Sequence, residues 1–130
     1  MKADNQNLKD IRLLWRSHLS KPHDKSIGEL SIIFINEIKR IVSSEFCVYL
    51  GDLESAKQDG LTIEAQSYAI YLSYHIVPFI SVVGLARHFS KDEPYIKNNI
   101  LNFKSCYWKE EKFIKLKNKC INSIYDLNLT

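Results

Sequence analysis

The chain has 130 residues and a mass of 15.2 kDa, which is the length of one ordinary domain. Hydrophobic residues make up 45% and charged residues 25%, while four Gly and three Pro are too few for a linker or a low-complexity chain. This composition excludes a multidomain machine and a disordered chain. The net charge of +3 is too small to identify a polyanionic partner.

The charges are distributed unevenly. Residues 1–60 carry nine basic and nine acidic side chains, whereas residues 91–130 carry eight Lys against five acids. The net positive charge therefore belongs to the C-terminal part of the chain. Within the balanced part, residues 45–59 form a local acidic segment, whose carboxylates belong to Glu45, Asp52, Glu54 and Asp59.

The run from Ala65 to Ala86 contains no charged residue and, at 22 residues, is long enough for a membrane helix. It also contains His75, Pro78 and several polar residues, which are costly in a bilayer. We therefore predict two buried helices that meet near Pro78. Residues 1–6 carry acids and amides where a secretory signal requires an apolar run, so we expect a cytoplasmic protein without a membrane partner.

Apolar residues at helical spacing predict a first helix over residues 5–19, which ends before Lys21-Pro22. Ser26 and Glu29 match a capping box, which predicts the start of a second helix. Its apolar face contains Ile27, Leu30, Phe34, Ile38 and Ile41. A strand over residues 30–35 is the alternative, because β-branched residues are frequent there.

The apolar run 46–50 is compatible with a strand or with another helical turn, and the pattern does not decide between them. Residues 52–60 predict a short helix that ends at a left-handed Gly60. Thr62 is then the predicted cap of the next helix, whose apolar face extends to Phe79, with Pro78 as the break.

Ser90 and Glu93 match a second capping box, with Pro94 tolerated in the first turn of the helix that follows. The last helix carries one apolar seam, formed by Phe113, Leu116, Cys120, Ile124 and Leu127. Together these elements predict an all-α fold. We expect residues 1–130 to form a compact, single-domain bundle of about six helices around a buried, Pro-interrupted helix pair.

No motif of a nucleotide, serine-hydrolase or metalloprotease enzyme occurs in the chain, and four scattered Gly cannot build a phosphate-binding loop. The three cysteines, Cys47, Cys106 and Cys120, are widely spaced and odd in number, so neither a disulfide framework nor a Cys-based zinc site is expected. We interpret them as small core residues. We predict no enzyme activity, no cofactor and no metal.

Tyr68, Tyr71 and His75 share one helix face in the charge-free run, and Tyr74 turns partly aside. A hydrolase centred on His75 is one hypothesis for this face. The favoured interpretation is structural: His75, Tyr68 and Tyr71 belong to the core, and Tyr74 lies at its rim.

A small all-α chain without catalytic motifs most often acts by binding another protein. Lys, Ile and Asn occur 14, 16 and 9 times, a bias that AT-rich coding sequence produces and that is common in bacterial accessory islands. We therefore predict an immunity or antitoxin-type protein that binds a basic bacterial nuclease toxin and occludes its active site. Its carboxylates would take the place of phosphates. The predicted contact residues are Glu45, Tyr49, Asp52, Glu54 and Asp59, with Tyr49 as aromatic anchor.

The alternative function is nucleic-acid binding by the Lys-rich C-terminal helix. The predicted contacts are Lys109, Lys112, Lys115 and Lys119, which alternate with aromatic residues. Arg is absent from this stretch, and Glu110 and Glu111 interrupt the positive field. We therefore favour a protein partner over a nucleic acid.

Overall fold

Six α-helices and one 3₁₀ helix contain most of the residues that the structure, a computed structural model, describes: 2–21, 23–56, 59–106 and 110–129. Within these ranges there is no strand, which confirms the all-α prediction of about six helices. The helices are α1 (Lys2–Leu19), α2 (Ile27–Phe46), α3 (Gly60–Ile76), α4 (Val82–Phe89), α5 (Glu93–Cys106) and α6 (Glu111–Tyr125), and the 3₁₀ helix covers Leu50–Glu54.

The start of α2 is confirmed in its atomic detail. Ser26 Oγ accepts a hydrogen bond from the Glu29 backbone N–H at 3.1 Å, and Glu29 Oε1 accepts one from the Ser26 backbone N–H at 3.4 Å. This reciprocal pair satisfies donors that the first turn of a helix leaves free. α2 continues unbroken through residues 30–35, so the alternative of a strand there is wrong.

The connection from α2 to α3 differs from the prediction. α2 ends at Phe46, Cys47 is left-handed with φ 54°, and the next helical turn is 3₁₀ and covers Leu50–Glu54. Gly60 does not end a helix; it is the first residue of α3, and its φ is not positive. Asp59, not Thr62, is the cap, because Asp59 Oδ1 accepts the Thr62 backbone N–H at 3.0 Å.

A second correction concerns the start of α5. Ser90 is left-handed and ends α4, so it does not form the predicted capping box. Asp92 takes that role, since its Oδ1 accepts the Tyr95 backbone N–H at 2.8 Å. Pro94 lies in the first turn of α5, as predicted, where the N–H that proline lacks would have no partner in the helix.

The α3 part of the charge-free run lies at the centre of the bundle. α3 packs against α2 and α5, and its buried side chains include Ala65, Ala69, Ile70, Leu72 and Ile76. The helix ends at Ile76, just before Val77-Pro78, because the residue preceding proline disfavours the helical backbone. The break at Pro78 is therefore confirmed. Phe79, however, lies in the turn after α3 and is 55% exposed, so its predicted place on the α3 face is wrong.

The remaining helices enclose this centre. α6 packs against α1 and α2 through its predicted seam, where Phe113, Leu116, Cys120 and Ile124 are buried and Leu127 is partly buried. Tyr68 and Tyr71 are buried and Tyr74 lies at the rim, as predicted. Within the described residues, none of the helices combines the length and the apolar content that a membrane span requires.

The cysteines only partly follow the prediction of small core residues. Cys120 is buried, and burial raises the pKa of its thiol to about 12. Cys47 is exposed at the end of α2, where its left-handed backbone allows its N–H to reach the carbonyls of Ser43 and Ser44. The Cys106 side chain lies outside the description.

Candidate functional site

The predicted acidic contact residues lie along the connection between α2 and α3. Glu45 is in the last turn of α2, Asp52 and Glu54 belong to the 3₁₀ helix, and Asp59 caps α3. Tyr49 immediately precedes the 3₁₀ helix as its N-cap residue. We call residues 49–55 the exposed turn.

The backbone of the exposed turn is held by hydrogen bonds from Gln66 and Lys91, which lie outside it, and by the buried Leu53 within it. Gln66 is 1% exposed, and its Nε2 donates to the carbonyl oxygens of Asp52 at 2.7 Å and Ser55 at 3.1 Å. Lys91 Nζ donates to the same Ser55 carbonyl at 2.7 Å. Leu53 anchors the turn from below, since it is completely buried. Two side chains from outside the turn and one buried side chain within it therefore hold the turn in one conformation.

Two apolar side chains project from this fixed backbone. Tyr49 is 81% exposed and Leu50 is 51% exposed. Burying them against a partner would release water from apolar surface without the cost of ordering a mobile loop. Sequence reasoning identified Tyr49 but missed Leu50. Leu50 belongs to the apolar run 46–50, and its exposure depends on where α2 ends.

Glu54 serves as the counter-ion of a buried lysine. Its Oε1 lies 3.4 Å from Lys39 Nζ, and Lys39 is only 5% exposed. Lys39 Nζ also donates to the His88 carbonyl at 2.5 Å and lies 4.7 Å from the centre of the Phe89 ring. Burial lowers the pKa of Lys39, and the Glu54 carboxylate acts in the opposite direction. Part of the predicted anionic surface therefore compensates a buried positive charge within the fold.

Glu45 is turned toward the lysine-rich helix. Its Oε2 lies 3.1 Å from Lys119 Nζ, and both side chains are about half exposed. Asp59 also has an internal role, because it caps α3. Of the four predicted carboxylates, three therefore have a partner within the chain, and Asp52 also takes part in a side-chain or backbone interaction.

The described lysines of the alternative nucleic-acid face are paired as well. Lys112 Nζ lies 3.2 Å from Glu64 Oε1 and 4.3 Å from the centre of the Phe46 ring. Lys115 Nζ lies 3.1 Å from Glu111 Oε1. Lys109 lies outside the described residues. Because each described lysine faces a carboxylate, the positive field of α6 is much weaker than the lysine count indicates.

His75 lies one residue before the end of α3, with its ring stacked on that of Tyr71 at 6.1 Å and an angle of 11° between the rings. The ring of Phe113 packs edge-on against it at 6.4 Å. This aromatic environment is in keeping with the structural interpretation of His75. Within the described ranges, His, Cys, Asp and Glu side chains do not form a group of three or more that is suited to a metal ion.

Comparison of the chain with protein-family models, with curated protein sequences and with solved structures finds no match.

Proposed function

We propose that this chain is a protein-binding module that presents the exposed turn to its partner, and that it acts as an immunity or antitoxin-type inhibitor of a basic bacterial nuclease toxin. The observation that carries the proposal is the exposure of Tyr49 and Leu50 on a backbone held by Gln66, Lys91 and Leu53. An aromatic residue in a preorganised setting is typical of the few residues that contribute most of the affinity of an interface.

The charges beside this pair support a basic partner. Asp52 belongs to the same turn as Tyr49 and Leu50, and the Glu54 side chain remains 42% exposed beside Lys39. Carboxylates at the edge of an apolar contact accelerate association with a positively charged protein and orient it. The active-site cleft of a nuclease is such a surface because it binds phosphates. Glu45 and Asp59 contribute less to this argument than the sequence indicates, because Lys119 and the α3 N-terminus engage them.

The composition supports the bacterial part of the proposal through the Lys, Ile and Asn bias. Nucleic-acid binding, the alternative, receives less support, because Lys112, Lys115 and Lys119 face carboxylates. An RNA or DNA ligand would have to displace these ion pairs before it gained the electrostatic energy that such complexes require.

The test begins with a photo-crosslinking amino acid at position 49, introduced into the full chain in its native host. We expect one crosslinked protein, encoded by a neighbouring gene, whose nuclease activity is inhibited by a stoichiometric amount of the purified chain. The double variant Tyr49→Ala/Leu50→Ala should bind this protein at least tenfold more weakly and lose the inhibition. Leu101→Ala is the matched control, since Leu101 is a 65% exposed leucine on α5.

Three outcomes would contradict the proposal. The crosslinked protein has no nuclease activity, or its activity is unaffected by the chain, or the double variant inhibits as well as the wild type. The thermal midpoints of the variant and the control should agree with that of the wild type, because all three side chains are at least half exposed.

A further inference from the structure

A second apolar surface lies at a different place in the bundle. It is an open groove of about 500 Å³ between one face of α1 and the turn that follows α3. The α1 face contributes Ile11, Trp15 and Leu19, and the turn contributes Phe79. Two of these side chains remain substantially exposed, Leu19 at 45% and Phe79 at 55%. The groove therefore presents apolar area that the chain itself leaves uncovered.

The two walls of the groove are held together. Trp15 Nε1 donates to the Ile76 carbonyl at 2.8 Å, which fixes α1 to the end of α3. The rings of Trp15 and Phe79 also pack edge-on, with 4.8 Å between their centres and 79° between their planes. The break at Pro78 carries Phe79 out of α3 and over Trp15. The groove thus exists before any ligand binds, which reduces the entropic cost of binding.

The charged side chains that line the described groove are both positive. Arg12 and Arg16 line it, lie one helical turn apart on α1 and are exposed. Among the side chains that the structure describes, neither guanidinium has an ion pair or a hydrogen-bond partner, and the groove lining contains no carboxylate. This contrasts with Lys112, Lys115 and Lys119 of α6, whose charges are paired. Two free guanidinium groups beside apolar surface favour an apolar ligand that also carries carboxylates.

We propose that this groove binds an amphipathic α-helix of another protein, which packs its apolar face against Leu19 and Phe79 and places two acidic side chains, one turn apart, against Arg12 and Arg16. The dimensions fit this occupant. From Ile11 to Leu19 the groove runs for about 12 Å along α1, which corresponds to roughly two turns of a bound helix. Residues three or four apart on a helix lie on one side, so two carboxylates at that spacing match two arginines at the same spacing.

This groove is separate from the exposed turn. Gln66, which holds the turn, and Ile76, which receives the Trp15 hydrogen bond, lie about 15 Å apart along α3. The inference therefore does not depend on the proposed inhibition of a nuclease. A chain with both surfaces would bind two different partners, and loss of one interaction would leave the other intact.

The test is a selection from a displayed library of sixteen-residue helices. Each member has leucines at fixed positions i, i+3, i+4 and i+7, and the positions that flank this stripe are randomised. Against the full wild-type chain we expect enrichment of Asp and Glu at two flanking positions one turn apart. Against the double variant Arg12→Glu/Arg16→Glu we expect Lys and Arg at the same positions.

Binding of a selected acidic peptide is then measured by titration calorimetry. We expect at least a tenfold loss of affinity with Arg12→Glu/Arg16→Glu and with Phe79→Ser. Arg87→Glu is the matched control, because it reverses an exposed arginine on α4 and should leave the affinity unchanged. Because Arg12, Arg16 and Phe79 are exposed, these variants should fold, and circular dichroism verifies this.

Four results would overturn the inference. No helix is enriched, the enriched helices show no charge preference, or Arg87→Glu weakens binding as much as the groove variants. The fourth is a concentration-dependent dimer of the wild-type chain that Phe79→Ser abolishes, since a second copy would then be the occupant of the groove.

Discussion

Lys119 Nζ lies 3.1 Å from Glu45 Oε2 and thereby joins α6 to the end of α2, across 74 residues of sequence. The two regions of opposite charge that the sequence contains are therefore connected by an ion pair. Lys112 and Glu64 form a similar link between α6 and α3, at 3.2 Å. A count of charges along the sequence therefore overestimates the charge that is available to a partner, because some of these side chains form ion pairs within the fold.

The Glu45–Lys119 pair should contribute a small, salt-sensitive part of the stability. Because both side chains are about half exposed, we expect a coupling free energy of about 0.2–1 kcal/mol from a double-mutant cycle with Glu45→Gln and Lys119→Met. Urea unfolding at low salt and at about 1 M NaCl gives the measurement, and the coupling should be lost at high salt. A coupling that is unchanged by salt would mean that the two residues interact through packing instead of charge.

Glu54→Gln should destabilise the fold by about 1–3 kcal/mol, because the buried ammonium group of Lys39 loses its counter-ion. In a Lys39→Met background the same substitution should have little effect, since no buried charge then remains. Urea unfolding of the wild type, both single variants and the double variant tests this. Equal effects of Glu54→Gln in both backgrounds would contradict the assignment.

The Lys39–Glu54 pair also determines how the proposed partner site should be probed. Charge reversal at Glu54 changes the stability and the surface charge together, so it cannot isolate steering by charge. Asp52→Asn is the better variant for measuring the association rate. We expect it to slow association with the basic partner and to reduce the dependence of that rate on salt. Association kinetics identical to those of the wild type would place the interface elsewhere.

Stability should fall as the pH falls through the range in which histidine titrates. Burial lowers the pKa of His18 below its ordinary value of 6.5, and the charges of Lys21 and His23 act in the same direction, against the hydrogen bond to the Ile124 carbonyl. The unfolded chain therefore binds more protons below about pH 6.5. The stability that the neutral imidazole provides is fully present above that pH and is lost as the pH decreases toward the lowered value.

Urea unfolding midpoints at about pH 7.5 and pH 5 measure this effect. His18→Gln retains a donor for the Ile124 carbonyl without a titrating group, so its midpoint should change less between the two pH values than that of the wild type. The midpoint of His18→Gln should still change somewhat between the two pH values because of His88, whose pKa is lowered by burial and by Lys39. If His18→Gln and the wild type respond equally to pH, His18 is not the titrating group.

Gly60→Ala should stabilise the protein by up to about 1 kcal/mol. Gly60 is the first residue of α3 with no positive φ, and a Cβ there meets nothing within 4 Å, so alanine reduces the freedom of the unfolded chain without strain. Gly84→Ala is the contrast, because its Cβ would lie 2.7 Å from Ile80 Cγ1 and should destabilise the fold. The thermal midpoints of both variants, compared with that of the wild type, test these two expectations. Destabilisation by Gly60→Ala would favour the left-handed end of a helix at this residue.

Local sequence patterns predicted much of the fold. The capping box at Ser26 and the seam of α6 rely on residues three or four positions apart, which are neighbours in any helix. The burial of α3 could be predicted because a long run without charge requires an apolar environment. The break at Pro78 could be predicted because proline restricts the residue before it.

The errors arose where two residues competed for one local role. Asp59 and Thr62 are both suitable N-cap residues, and so are Ser90 and Asp92. Which of the two caps the helix depends on where the preceding element ends. The candidate site was harder to predict from the sequence than the helix ends. The exposure of Leu50 depends on where α2 ends. The pairing of Glu54 with Lys39 and the placement of Phe79 over Trp15 depend on contacts between separate elements. Periodicity carries no information about such contacts.

The two hydrogen bonds from Gln66 to the turn have a consequence for dynamics. The carbonyls of Asp52 and Ser55 are satisfied by a side chain of the central helix, so the turn cannot open unless the donors of Gln66 are left buried and unpaired. The turn should therefore exchange its amide hydrogens on the slow timescale of the core instead of the fast timescale of a surface loop. By mass action, a partner that binds the folded chain through Tyr49 would then lower the population of the globally unfolded state as well as that of the open turn, so that binding strength and resistance to proteolysis rise together.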